Sequence, residues 1–164
     1  MTQDHAAERE LLSHLRIEDG VAYWRARVNQ RVPAGARAGT VKPAGYVNIK
    51  FRRKMFQLHR LVFLSSHGYL PAEIDHIDGN PANNRITNLR AASRTQNLWN
   101  RRMCEGNTSG VKNVSWCKRD RRWIVQFWSD GRLAYAGRFT SLEKAAAAAE
   151  QARHTIQGEF ARNG

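Results

Sequence analysis

The chain has 164 residues, enough for one ordinary domain or two small ones, and 41% of them are hydrophobic, which excludes a wholly disordered tail. Lys and Arg number 27 against 14 Asp and Glu, a formal net charge of +13 that attracts polyanions at long range and makes nucleic acid the expected partner. No apolar run approaches the length of a membrane span, so no membrane partner is expected. Two cysteines without histidines at finger spacing exclude a four-cysteine zinc site; Cys104 and Cys117 read as reduced thiols of a cytoplasmic protein.

Residues 4–18 carry Ala7, Leu11, Leu12 and Leu15 at helical spacing, and Asp19-Gly20 turns the chain into a strand over 21–28. Residues 30–45 are rich in Gly, Pro, Ala and Arg and read as an exposed basic loop. In 45–51, Tyr46, Asn48 and Lys50 alternate with Val47, Ile49 and Phe51, a half-exposed strand; Arg52-Arg53-Lys54 turns it back into a hairpin. A short helix over 59–68 is closed by Gly68. A strand at 74–77 enters a loop, DGNPANN, with turn formers at nearly every position, and a second short strand follows at 88–92. Ser93 and Gln96 make a capping box for a helix running to about Met103. The small polar stretch 104–109 marks the expected boundary between a domain at 1–104 and another at 107–164. Beyond it come three strand-like runs, a hairpin signal at Asp130-Gly131, and a helix capped by Thr140 or Ser141 that contains five consecutive alanines.

Asp75, His76 and Asn97 carry chemistry that suits phosphodiester hydrolysis. A hard divalent cation prefers oxygen ligands, and Asp75 offers a carboxylate oxygen and Asn97 an amide oxygen. A neutral imidazole at His76 suits a general base, with Asn88 fixing its tautomer. Neighbouring residues on a strand point to opposite faces, so Asp75 and His76 serve one cleft only if the strand twists or ends there. The same residues also suit a plain polar loop entrance, so residue types alone leave both readings open.

The stretch HRLVFLSSHGYLPAEIDHIDGNPANNRITNLRAASRTQNLWNRR, residues 59–102, resembles the HNH homing endonucleases of bacteriophages and introns, and the resemblance extends forward to about residue 8. It implies a ββα-metal fold, with Asp75 and Asn97 as metal ligands, His76 as general base and Asn88 as the asparagine that orients it. Asn97 stands where many relatives have His, which favours Mg2+ or Mn2+ over zinc. Asn80, Asn83 and Asn84 are expected to hold the loop, and His59 to be structural or phosphate-facing. Residues 109–160 resemble the AP2/ERF DNA-binding domain through Gly110-Val111-Lys112, Trp116, Trp123, Gly137, Phe139, the alanine-rich helix and Gly158. Val114 and Trp128 depart from that family's base-reading arginines.

The expected fold class is therefore α+β: a ββα-metal nuclease domain followed by a small three-stranded antiparallel sheet packed on one helix. In 122–128, Trp123, Val125 and Phe127 should pack on Ala145, Ala146 and Ala149, while Arg122, Ile124, Gln126 and Trp128 face DNA. Lys112, Trp116, Arg119, Arg121, Arg132 and Tyr135 complete the expected DNA-binding set, with double-stranded DNA as partner. One divalent ion on a monomer implies one strand cut per engagement, a site-preferring nickase of the homing type. The alternative is a catalytically inactive DNA-binding regulator.

Overall fold

The structure, a computed structural model, describes residues 5–101 and 103–161. It is α+β, as expected, and divides into two compact units, Met1–Ala91 and Ala92–Gly164. Among the described residues no helix is long and apolar enough to cross a membrane.

The first unit opens with α1, Ala6–Ser13. The helical pattern expected to reach residue 18 stops here: Leu15–Glu18 is strand β1, paired antiparallel with β2, Val21–Trp24. Asp19 and Gly20, at φ 50° and 78°, supply the left-handed pair of a tight hairpin turn, and cross-strand pairing outweighs the helical spacing. A second sheet holds β3 (Thr40–Val41), β4 (Val47–Phe51) and β5 (Lys54–Gln57) in the order β3-β4-β5. Arg52 and Arg53 both have positive φ, so this hairpin turns without a glycine. Helix α2, Leu58–His67, ends on Gly68 in the left-handed conformation, whose N–H returns to the Leu64 carbonyl. It is buried on most sides: Leu58, Leu61, Val62 and Phe63 join Leu11, Leu15, Val47, Ile49 and Leu89 in one core. Each such side chain contributes about 1.5–3 kcal/mol on leaving water.

From this core the chain enters β6, Glu73–His76, which pairs with β7, Leu89–Ala92, after a 3-10 turn at Ile86–Asn88. Helix α3, Arg94–Trp99, follows. Both halves of its capping box form: the Ser93 hydroxyl accepts from Gln96 N–H, and the Gln96 side chain accepts from Ser93 N–H. The helix stops at Trp99, short of the expected Met103.

In the second unit β8 (Val114–Cys117), β9 (Arg122–Ser129) and β10 (Arg132–Phe139) form an antiparallel sheet with β9 in the centre, packed against α4, Leu142–Gln157. Ser141 caps α4 through Lys144 N–H. Register decides the faces. Val125 lies opposite Val114 and Gly137, Trp123 opposite Trp116 and Phe139, and Phe127 opposite Tyr135. These share the helix side, where Val114, Val125 and Phe127 meet Ala145, Ala149 and Ala152. Alanine at those helix positions lets the backbone lie close to the sheet. The other face carries Ile124 with Ser115 and Arg138, Gln126 with Ala136, and Trp128 with Leu133. Cys104 and Cys117 are free thiols.

Candidate functional site

Strand β6 ends at His76, so the alternation that separates neighbouring side chains is interrupted where it matters, and Asp75 and His76 are both buried, at 3% and 6% exposure. Arg90 on β7 meets Asp75: its Nε and Nη2 donate to Asp75 Oδ2 at 2.8 and 2.7 Å. A buried carboxylate without such compensation is costly, and a guanidinium fork matches it.

The loop after His76 is built from its own side chains. Asp78 Oδ1 accepts from Asn80 N–H at 2.7 Å, and Asn80 Oδ1 from Ala82 N–H at 3.1 Å. Gly79, at φ 65°, returns its N–H to the His76 carbonyl. Asn83 Nδ2 donates to Asp78 Oδ2, and Asn88 Nδ2 to Asp78 Oδ1 and the Asn83 carbonyl. Burial acts to raise the Asp78 carboxyl, but these hydrogen bonds and the nearby His76 hold it below its ordinary value.

Asn88, expected beside the base, thus has its amide committed to the loop; its Oδ1 also accepts from Asp78 N–H. The amide at His76 is that of Asn84, buried at 2% exposure, whose Oδ1 lies 3.3 Å from His76 Nε2. The Asn84 Nδ2 donates to the Ala82 carbonyl, which fixes the amide orientation. With the amide oxygen toward the ring, Nε2 is the protonated nitrogen and Nδ1 carries the lone pair. Burial lowers the His76 pKa from its ordinary value, a shift opposed by Asn84 and by the charges of Asp78 and Asp75.

Sequence reasoning gave too little weight to His59 and left out Tyr46 as a site neighbour. His59, in the first turn of α2, lies ring to ring with His76 at 5.1 Å, and Tyr46 lies 5.5 and 6.1 Å from the two. His59 is buried and its Nδ1 has no hydrogen-bond partner. Burial first, then His76 and Arg60, push its pKa down to about 3, so it stays neutral. Asn97 lies on α3, in the second unit, where its N–H returns to the Ser93 carbonyl.

In the second unit the expected DNA-facing residues separate. Arg122, Gln126 and Trp128 are exposed on the open sheet face, and Trp128 is 56% exposed. Trp116, 41% exposed, Arg132, also exposed, and Tyr135 pair across the sheet with residues of the helix-side set instead. Trp116 pairs with Trp123, with ring centroids 4.9 Å apart, and Tyr135 packs on Phe127 beside the core. Arg132 pairs with Ser129 on that same side at the hairpin end. Lys112 Nζ donates to the carbonyls of Trp99 and Arg101, tying the end of α3 to the sheet. Arg119 and Arg121 are exposed in the turn before β9, with Arg119 paired to Asp120. Arg138, not foreseen, also stands on the open face, where it pairs with Asp120 at 3.3 Å. Counting outward from Asp130-Gly131 would have set it opposite Trp123 on the helix side; the irregularity between Leu133 and Tyr135 moves it opposite Ile124.

The family model "HNH endonuclease" matches residues 56–98, which carry the end of β5, α2, β6, the asparagine loop, β7 and most of α3. The chain is 36% identical to Protein 3.8 of Escherichia phage T7 over 106 residues, covering 63% of this chain and 87% of that protein. It is 42% identical over 62 residues to an uncharacterized HNH endonuclease of Acanthamoeba polyphaga mimivirus, covering 36% of this chain and 33% of that protein. No solved structure matches the chain. A ββα segment matched by the family model, and a relative matched over most of its length, agree with a buried Asp-His pair at a strand end. The chain therefore belongs to the HNH endonuclease family and is an HNH nuclease.

Proposed function

We propose that this nuclease hydrolyses duplex DNA one strand at a time, in the manner of a homing-type nickase, with His76 as general base. The observation that carries the reading is His76 itself: buried beside Asp75 at the end of β6, with its tautomer set by Asn84. The proton of a water moves to the His76 imidazole as the water oxygen bonds to phosphorus. The bond from phosphorus to the 3′ oxygen breaks, and the leaving oxygen takes a proton from bulk water. Asn88 serves the base indirectly, by holding the loop that carries Asn84.

The family resemblance implies a hard divalent cation such as Mg2+ or Mn2+, to which Asp75 and Asn97 would offer oxygen donors of the kind such a cation prefers. Among the described residues no three His, Cys, Asp or Glu side chains group to hold an ion. When bound, such an ion offsets charge on the phosphate and the leaving oxygen. The role of Asn97 rests on the family resemblance.

The second part of the proposal is a division of labour at 104–109, with 1–104 cutting and 107–164 acting as an AP2/ERF-like module that holds DNA. Its support is the open sheet face, which carries Arg122, Gln126, Trp128 and Arg138, the last paired with Asp120. Supercoiled plasmid incubated with Mg2+ or Mn2+ tests the whole reading. Open circles that fail to form with a chelator or with His76→Ala, at unchanged DNA affinity, are the expected result. An intact plasmid under all conditions would leave a DNA-binding regulator instead.

A further inference from the structure

The open face of the β8-β9-β10 sheet has an unusual centre. Gln126 is its middle side chain, exposed on the central strand. Around it the register sets Ala136 directly opposite, Ile124 and Trp128 two residues away on the same strand, and Leu133 opposite Trp128. One amide thus has apolar side chains along β9 and β10, with the polar Ser115 and Asn113 on the β8 side, and Arg122 and Arg138, the latter paired with Asp120, lie toward one end. Trp128 and Leu133 remain 56% and 46% exposed, a large apolar area for a sheet face in water.

The chemistry of that centre matches one kind of base pair. In the major groove adenine shows an acceptor next to an amino donor, and a primary amide answers both at once. Thymine shows a methyl group that apolar side chains contact, whereas guanine is read by arginine or lysine. A sheet of two or three strands fits that groove, and arginines at its rim meet phosphates. Building on the proposal that this sheet binds DNA, we propose that its open face reads A·T base pairs in the major groove. Gln126 pairs with adenine, and Ile124, Ala136, Leu133 and Trp128 form the thymine-methyl contact.

The test uses the full chain in chelating buffer, so that binding is measured without cutting. Fluorescence anisotropy gives Kd for short duplexes of three kinds: A·T-rich, G·C-rich, and A·T-rich with uracil replacing thymine. The A·T duplex is expected to bind about tenfold tighter than the G·C duplex, and uracil to weaken binding about threefold by removing the major-groove methyl. Gln126→Ala should cut the A·T preference to about the threefold that the thymine methyl supplies, while Trp128→Ala weakens binding to both. Equal wild-type Kd for A·T and G·C, or indifference to uracil, would overturn the inference. So would a Gln126→Ala loss of the same size on every duplex, and in these cases DNA binding by the sheet would still stand. Gln126→Ala, Trp128→Ala and Arg122→Ala all leaving every Kd unchanged would remove the sheet from the DNA interface and the inference with it. Gln126 is exposed, so its truncation is not expected to disturb folding.

Discussion

At the residue scale two buried imidazoles, His76 and His59, stand side by side. A general base works only in its neutral form. Burial lowers the His76 pKa, so the neutral form persists below pH 6.5. The single-turnover cleavage rate should therefore stay level as pH falls from 8 to about 6.5 and drop only below that; a break well above 6.5 would argue against His76 as the base. His59 bears instead on stability. Its pKa is about 3 in the fold and 6.5 when exposed, so between these values the unfolded chain takes up a proton that the native chain refuses. Stability is full above pH 6.5 and declines as pH falls toward 3. His59→Phe keeps a ring at the same place and removes both the titration and the unpartnered Nδ1. It should raise Tm at neutral pH and flatten the decline in acid; removing an unpaired buried polar group is worth about 1–3 kcal/mol. Thermal melts at pH 7 and pH 5 check this, and a lower Tm at both would show that the imidazole stabilises the fold.

At the element scale two small features position the loop after His76 and the helix that follows. Gly20, in the β1–β2 turn, has φ 78°, and a Cβ there would meet the backbone of Asn84 and Arg85 at 2.5 Å. The hairpin thus presses directly on the residue that orients His76. Gly20→Ala is expected to destabilise by more than about 1 kcal/mol and to lower the cleavage rate, since the loop must shift to admit a methyl group. Wild-type Tm and rate in that variant would refute the coupling. Helix α3 is only six residues long and depends on its cap. Ser93→Ala should cost about 1 kcal/mol, measured by urea unfolding, with Thr or Asp at the same position retaining most of it. The capping box was readable in the sequence because all its parts lie within four residues. Strand β1 was not readable, because its helical spacing is a local pattern while its partner, β2, is recognised only once the turn closes.

For the whole molecule, charge and the anchoring of α3 govern binding and autonomy. With a net charge of +13, duplex binding should weaken by about 10³-fold or more between about 50 and 200 mM salt if six or more phosphates are met. A titration insensitive to salt would exclude phosphate contact as the main source of affinity. Within the second unit, α3 is hydrogen-bonded to the sheet: Thr95 Oγ1 donates to Asp130 at 2.8 Å, Trp99 Nε1 to the Trp128 carbonyl at 3.2 Å, and Lys112 reaches the end of the helix. A fragment of residues 92–164 should melt higher than one of residues 107–164, which loses all of these bonds. Equal melting curves by circular dichroism would show that α3 adds nothing to this unit.

Legible in the residues alone were the fold class, α2 with its glycine stop, the cap of α3, the Asp130-Gly131 hairpin, and the adjacent Asp75 and His76. Each depends on residues close in the chain: caps, turn formers, periodicity, or a motif with fixed spacing. Long-range folding settled which of several asparagines stands beside His76, Asn84 rather than Asn88. It also placed His59 against His76 and Arg90 on Asp75, and it turned Trp116 and Tyr135 to the helix side of their sheet. Those outcomes depend on loop closure and strand register. A shift of one residue in register moves every side chain to the opposite face, and local composition does not encode that choice.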